Sequence, residues 1–177
     1  MGARIVLIGA GHAHMEALRQ ARRFDEAGLS LTLIDPGRFW YSGAATGMLS
    51  GAFEPSEANA DPARLPGPFE HIQARAITVD PAARQVSLED GRKVAFDLLS
   101  LNTGSAVADT ALTRAGAIPV KPVSNLAAVR AGIEAARGAL RLAVAGAGAT
   151  GVETALSLAS LQRGLGAPVQ VTLFGPA

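Results

Sequence analysis

The sequence predicts an α/β fold, a parallel sheet flanked by helices, on three observations. Short, wholly apolar segments run straight into glycine turns, and helical periodicity follows each turn. The whole unit also occurs twice, Arg4-Ile5-Val6-Leu7-Ile8-Gly9-Ala10-Gly11 returning as Arg141-Leu142-Ala143-Val144-Ala145-Gly146-Ala147-Gly148. An apolar run without alternation suits a strand covered on both faces, the condition of a parallel sheet between helices.

In order along the chain, residues 4–8 form the first strand, and the helix after the glycine turn buries Ala17, Leu18, Ala21 and Phe24 at helical spacing. A second strand follows at 29–34. The stretch 36–68 is rich in Gly, Ala and Pro and differs in character from its flanks. Strands are expected at 76–79, 85–88 and 94–101, the Glu89-Asp90-Gly91 turn making the last two a hairpin within a small β-meander. Ser124 or Asn125 caps a helix through Leu126, Val129, Ile133 and Ala136. The second copy then supplies a strand, a helix burying Val152, Ala155, Leu156 and Ala159, and a strand at 169–174. Strand, helix and strand in each copy imply a right-handed crossover and a Rossmann-like fold. The expected division is a first dinucleotide-binding domain over 1–120 and the start of a second over 121–177. Phe174-Gly175-Pro176-Ala177 close the sequence just after the second strand, so the second unit is expected to be begun and truncated.

Composition narrows the function. With 177 residues, 49% hydrophobic, the chain holds one ordinary domain or one and part of another. Sixteen basic against fifteen acidic residues give a net charge of +1, too little field for a nucleic-acid partner. The absence of cysteine excludes a disulfide, a zinc-thiolate site, an iron–sulfur cluster or a redox dithiol within these residues. Met1-Gly2-Ala3-Arg4 and the following apolar residues are too short for a signal peptide, and the apolar stretch 142–161 is broken by glycines and Glu153. A cytoplasmic location is expected, with any attachment to the inner membrane face supplied by residues outside these 177.

Gly9 permits a tight turn and Gly11 a close approach of backbone to a pyrophosphate, whose oxygens meet the unpaired amides at the helix start. The phosphate site thus takes in Gly9, Gly11, His12 and Ala13. Asp35, with Pro36 beside it, ends the second strand, where an acid accepts hydrogen bonds from a ribose. His14 occupies the place of the third glycine of the fingerprint, at a cost in close helix packing. His12 and His14 make too small a set for a metal site. A histidine that donates a hydrogen bond at the helix start is the better account.

Gly146-Ala147-Gly148-Ala149-Thr150-Gly151 is a complete fingerprint and a second phosphate site, with Gly146, Gly148, Thr150 and Gly151 as its binding residues. Glu153 is expected in the first helical turn, where the helix dipole favours a carboxylate. Gly175 stands where Asp35 stands in the first copy, so no acid selects NADH over NADPH, and any selecting residue lies past Ala177.

Three further segments carry a resemblance: Tyr41-Ser42-Gly43-Ala44-Ala45-Thr46-Gly47-Met48-Leu49, Ala82 through Gly91, and Phe96-Asp97-Leu98-Leu99-Ser100-Leu101-Asn102-Thr103-Gly104-Ser105. With them the chain resembles the type II NADH dehydrogenases and, more closely, the FAD oxidoreductases fused to selenophosphate synthetase. This resemblance covers essentially every residue. It implies an FAD-binding domain with an NAD(P)-binding domain inserted, and electron transfer from NAD(P)H through FAD to a quinone or other small acceptor. It further implies FAD at the first glycine loop and NAD(P)H at the second. The Ala45-Thr46-Gly47 loop would lie beside the isoalloxazine, Thr103 and Gly104 would close the FAD site, and Ile77 would approach the adenine through its backbone. Asn102 departs from the alanine usual in such proteins. Glu153 would face nicotinamide and flavin, and Lys121 is either a surface residue or a mark of the interdomain crossing. A homodimer is compatible with the family. The alternative is a dinucleotide-binding module or regulatory fragment without turnover.

Overall fold

The computed structural model describes residues 2–165 and 169–175, Leu165 by its backbone alone; Met1, Pro176 and Ala177 lie outside the described residues. Two compact units emerge, one of residues 1–39 and 60–104, the other of 40–59 and 105–177. The chain passes between these units at 39/40, 59/60 and 104/105, so part of the Gly/Ala/Pro-rich stretch belongs with the second unit. Composition marks 36–68 as different in character but not the points at which the chain changes unit, because those are set by contacts between residues distant in sequence.

The first unit begins with β1 (Arg4–Ile8), α1 (His12–Arg19), α2 (Ala21–Glu26) and β2 (Ser30–Ile34). The single helix expected here is interrupted at Gln20, whose backbone leaves helical geometry. After β3 (Phe39–Trp40), α3 (Ala45–Ser50) and β4 (Asn59–Ala60), the unit resumes with β5 (Phe69–Ile72), β6 (Ala76–Asp80), β7 (Gln85–Leu88), β8 (Lys93–Ala95) and β9 (Leu98–Leu101). Its main sheet is parallel, in the order β5-β2-β1-β9. β6, β7 and β8 form the antiparallel meander, with β7 and β8 as the hairpin that the Glu89-Asp90-Gly91 turn calls for. The strand expected over 94–101 is two strands in different sheets. Phe96 and Asp97 break it, and Asp97 is instead bonded to Arg4 at the start of β1. β5 escaped prediction because Phe-Glu-His-Ile has neither alternation nor an apolar run.

β1 shows why its sequence has no polar side. Ile5 and Leu7 pack with Leu18, Ala21, Leu31 and Leu33 against α1 and α2, whereas Val6 and Ile8 pack with Ile34, Ile72, Val86, Leu88 and Phe96 against the meander. Residues 5–8 are therefore all inside, with Arg4 alone exposed at the start, and each large side chain fully withdrawn from water contributes about 1.5–3 kcal/mol.

The second unit contains α4 (Ala111–Arg114), α5 (Ser124–Ala135), β10 (Leu140–Ala145), α6 (Ala149–Leu165) and β11 (Val169–Phe174), with β10 and β11 parallel. Neither Ser124 nor Asn125 caps α5. Val123 takes the cap position without a side-chain bond, Ser124 is the first helical residue, and the Asn125 amide donates to the Pro119 carbonyl. α6 also buries a different face from the one expected. Thr154, Ser157, Leu158 and Leu161 are buried, Ala155 and Ala159 are half-buried, Val152 is exposed and Leu156 is 66% exposed. Polar and apolar residues are scattered round α6, so its periodicity does not choose a face; packing with Met48 and Leu49 of α3 does. The buried hydroxyls bond to their own helix, Thr154 to the Thr150 carbonyl and Ser157 to that of Glu153, which removes the penalty of hiding them. Among the described residues no helix is long and apolar enough to cross a membrane.

Candidate dinucleotide sites

The two glycine loops share one backbone design. The Gly9 amide donates to the Ile34 carbonyl at 2.9 Å and the Gly146 amide to that of Phe174 at 2.8 Å, each tying its loop to the end of the neighbouring strand. Met15 then donates to Gly11 and Val152 to Gly148, the first helical bond of each copy. The amides before that bond are the unpaired donors of a helix start. Both leading glycines have positive φ, +88° and +113°, a region that penalises any residue with a Cβ.

The copies differ in how each loop is held. In the first, the Ala10 amide donates to one Asp35 oxygen at 2.7 Å and the Gly37 amide to the other at 2.9 Å, so Asp35 braces the loop from the end of β2. The same carboxylate keeps further lone pairs for hydroxyl groups. In the second copy Gly175 takes that position, and a side chain there would meet the Ala147 Cβ at 2.5 Å, so the loop itself occupies the space an acid would need.

His14 and Gly151 are the other contrast. A Cβ on Gly151 would collide with the Gly146 carbonyl oxygen, so the third glycine of the fingerprint is what lets α6 start against its loop. The first copy keeps a bond where the second keeps a contact. The buried His14 ring lies with Nδ1 at 2.6 Å from the Gly9 carbonyl oxygen and Nε2 at 2.8 Å from Ser100 Oγ. A carbonyl only accepts, so Nδ1 donates, and the ring fastens the loop to β9. His12 is exposed and sets its ring edge-on to Phe39, centroids 4.9 Å apart; the two histidines take separate partners.

Of the remaining expected site residues, Ala13 is exposed on the first turn of α1, Pro36 is exposed beside Asp35, and Thr103 and Gly104 are exposed after β9, Gly104 at φ +76°. Ile77 lies on β6, 61% exposed. Ala45, Thr46 and Gly47 are not a loop: they form the first turn of α3, in the second unit. A Cβ on Gly47 would come within 2.5 Å of the Phe53 ring, and its carbonyl accepts from Ala52, Phe53 and Ser50. Thr150 is exposed in the first turn of α6, and Glu153 falls in the second turn, not the first, with its carboxylate unpaired among the described residues. The dipole contribution fades beyond the first turn, so simple dipole stabilisation explains Glu153 less well than its sequence position promised. Lys121 is exposed and donates to Ser105 Oγ at 3.0 Å.

Two groups escaped the sequence reading. Arg130, buried on α5, donates to the Met48 and Phe53 carbonyls at 3.1 and 2.6 Å and pairs with Glu54 at 2.9 Å and Glu134 at 2.7 Å, which holds the end of α3 in place. Only the Glu134 spacing, i to i+4, was visible beforehand. Asn102 is the other: its carboxamide lies directly over Gly11.

A β1-loop-α1-β2 unit, repeated as β10-loop-α6-β11 and followed by an acid in the first copy only, defines a protein of the Rossmann-like dinucleotide-binding class. The chain belongs to the pyridine nucleotide-disulphide oxidoreductase family, whose profile matches residues 3–175. It is 31% identical over 118 residues to the probable ferredoxin reductase CtmF of Castellaniella defragrans, a match covering 62% of this chain and 28% of that protein. The sulfide:quinone oxidoreductase of Aquifex aeolicus superposes with a TM-score of 0.74 at 20% identity, over 98% of this chain and 43% of that one. The NADH:rubredoxin oxidoreductase of Clostridium acetobutylicum does so with a TM-score of 0.67 at 16% identity, over 98% and 45%. The chain thus spans less than half the length of each. Membership holds although these residues contain no cysteine.

Proposed function

We propose that the chain is the dinucleotide-binding part of an FAD-dependent NAD(P)H oxidoreductase, with FAD at Gly9–Gly11 and NAD(P)H at Gly146–Gly151. FAD and NAD(P)H are the cofactors expected of this family, and the observation that carries the reading is the duplicated loop with its matching hydrogen bonds. When bound, FAD supplies an acceptor for hydride from the nicotinamide and a donor of two electrons to a quinone or other small molecule. The protein's own part is to bind and orient. Amides at the start of α1 meet one diphosphate and those at the start of α6 the other, Asp35 accepts from the FAD ribose, Pro36, Ile77, Thr103 and Gly104 border that cofactor, and Thr150 borders the second. Ala45 and Thr46 are proposed near the flavin ring and Glu153 near the nicotinamide. No dithiol relay operates within these residues, because they hold no thiol. The protein is proposed to act in the cytoplasm.

The test is spectroscopic. The protein, purified with its natural flanking sequence, is expected to carry flavin whose visible absorption bleaches under anaerobic NADH or NADPH and returns on addition of a quinone. A colourless protein that takes up neither FAD nor a reduced nicotinamide overturns the proposal.

A further inference from the structure

We infer that Asn102 is a direct ligand of the diphosphate at the first glycine loop, a role that rests on reading that loop as an FAD site. The sheet order β5-β2-β1-β9 makes β1 the strand where the winding reverses. In such sheets ligands occupy the crevice outside the carboxyl ends of the strands on either side of that reversal. Here those ends are Gly9 after β1 and Asn102 after β9. The Asn102 amide donates to the Ile8 carbonyl at 2.9 Å, which fixes its position relative to the loop.

A Cβ on Gly11 would fall into the Asn102 carboxamide, nearest its Oδ1 and Cγ and next its Nδ2, so the whole amide group lies beside the glycine of the loop. It is half-buried, and among the described residues the carboxamide has no hydrogen-bond partner, whereas its neighbours Asp35, His14 and Ser100 are all engaged. A polar group held at this position without a protein partner is placed for a ligand. Nδ2 carries two hydrogens and no charge, so it adds a donor to a loop whose backbone also presents donors. Gly11 accordingly has two tasks: to let a diphosphate approach and to leave room for the amide that binds it.

Binding of FAD and of ADP, which share the diphosphate, is measured on the full chain for the unsubstituted protein, Asn102→Ala and the near-isosteric Asn102→Asp, with thermal midpoints of the ligand-free proteins as a check on folding. Loss of one hydrogen bond to a charged group weakens both ligands about tenfold in Asn102→Ala. Asn102→Asp weakens them further, by repulsion, and that extra loss shrinks as salt is added. The ligand-free midpoints stay together, since no protein hydrogen bond is removed. Unchanged affinities in both variants overturn the inference, as does a loss confined to FAD, which places the contact away from the diphosphate. If the unsubstituted chain binds neither FAD nor ADP, the FAD-site reading fails and this inference with it, an outcome distinct from failure at Asn102 alone.

Discussion

At the scale of single residues, the glycines of the first loop are not equivalent. Gly9 has φ +88°, and a Cβ there would meet rigid backbone, the Asn102 carbonyl oxygen at 2.5 Å and the Thr103 Cα at 2.7 Å. Gly11 would meet only side-chain atoms, those of the Asn102 carboxamide, and no rigid backbone. Gly9→Ala is therefore expected to cost about 2 kcal/mol or more through the forced left-handed conformation and the backbone clash. Gly11→Ala should cost about 1 kcal/mol, most of it recovered when Asn102→Ala is added, a coupling within the usual range for residues in contact. Urea denaturation of the four variants measures this. Equal costs for the two glycines, or strict additivity of Gly11→Ala with Asn102→Ala, would show the clash geometry to be wrong.

At the scale of elements, polar side chains decide where two segments are held. Arg130 joins α5 to the end of α3 and to Glu54, a connection between residues far apart in sequence. Arg130→Met keeps the bulk and removes the donors. The expected loss is about 2–3 kcal/mol, below the full value for a broken buried pair because Glu54 and Glu134 remain accessible to water. Faster proteolysis around residues 51–57 should accompany it, and unchanged cleavage there would count against Arg130 as the clamp.

Arg4 and Asp97 do the corresponding work where the neighbouring strands β1 and β9 begin. The Arg4 side chain and amide donate to the Asp97 carboxylate, holding its pKa at about 2 against an ordinary 3.8. The folded value is the lower one, so the contribution is complete above the ordinary carboxylate range and is lost as pH falls toward 2. Stability measured from pH 5 downward should fall less steeply in Asp97→Asn than in the unsubstituted protein; parallel curves would show that the pair does not contribute.

At the scale of the whole molecule, two units each carry one loop, and the division of cofactors between them is directly measurable. Hydrogen exchange should slow at the amides of residues 11–14 on adding FAD and at those of 147–151 on adding NADPH, because amides that bind phosphate are shielded from solvent. Protection of both loops by either cofactor alone would refute the assignment. The second loop sets no acid against a 2′-phosphate, and Gly175 cannot acquire one without displacing Ala147. Discrimination between NADH and NADPH therefore belongs to residues other than the one after β11.

The sequence by itself determined the fold class, both glycine loops and Asp35, because these depend on local rules: an apolar strand, a glycine where φ must be positive, an acid at a strand end. It also ruled out a dithiol in these residues. Only the tertiary structure decided what touches what. It split residues 94–101 between two sheets, since Asp97 answers to Arg4 at the other end of the unit and not to its neighbours. It turned α6 so that Leu158 and Leu161 face the core and Leu156 faces water, a choice that a helix with apolar residues scattered round it cannot make without a packing partner. It also brought Asn102 onto Gly11 and Arg130 onto α3. Side chains that act across many residues of intervening chain leave no period or spacing to read, and their roles exist only once the chain has closed on itself.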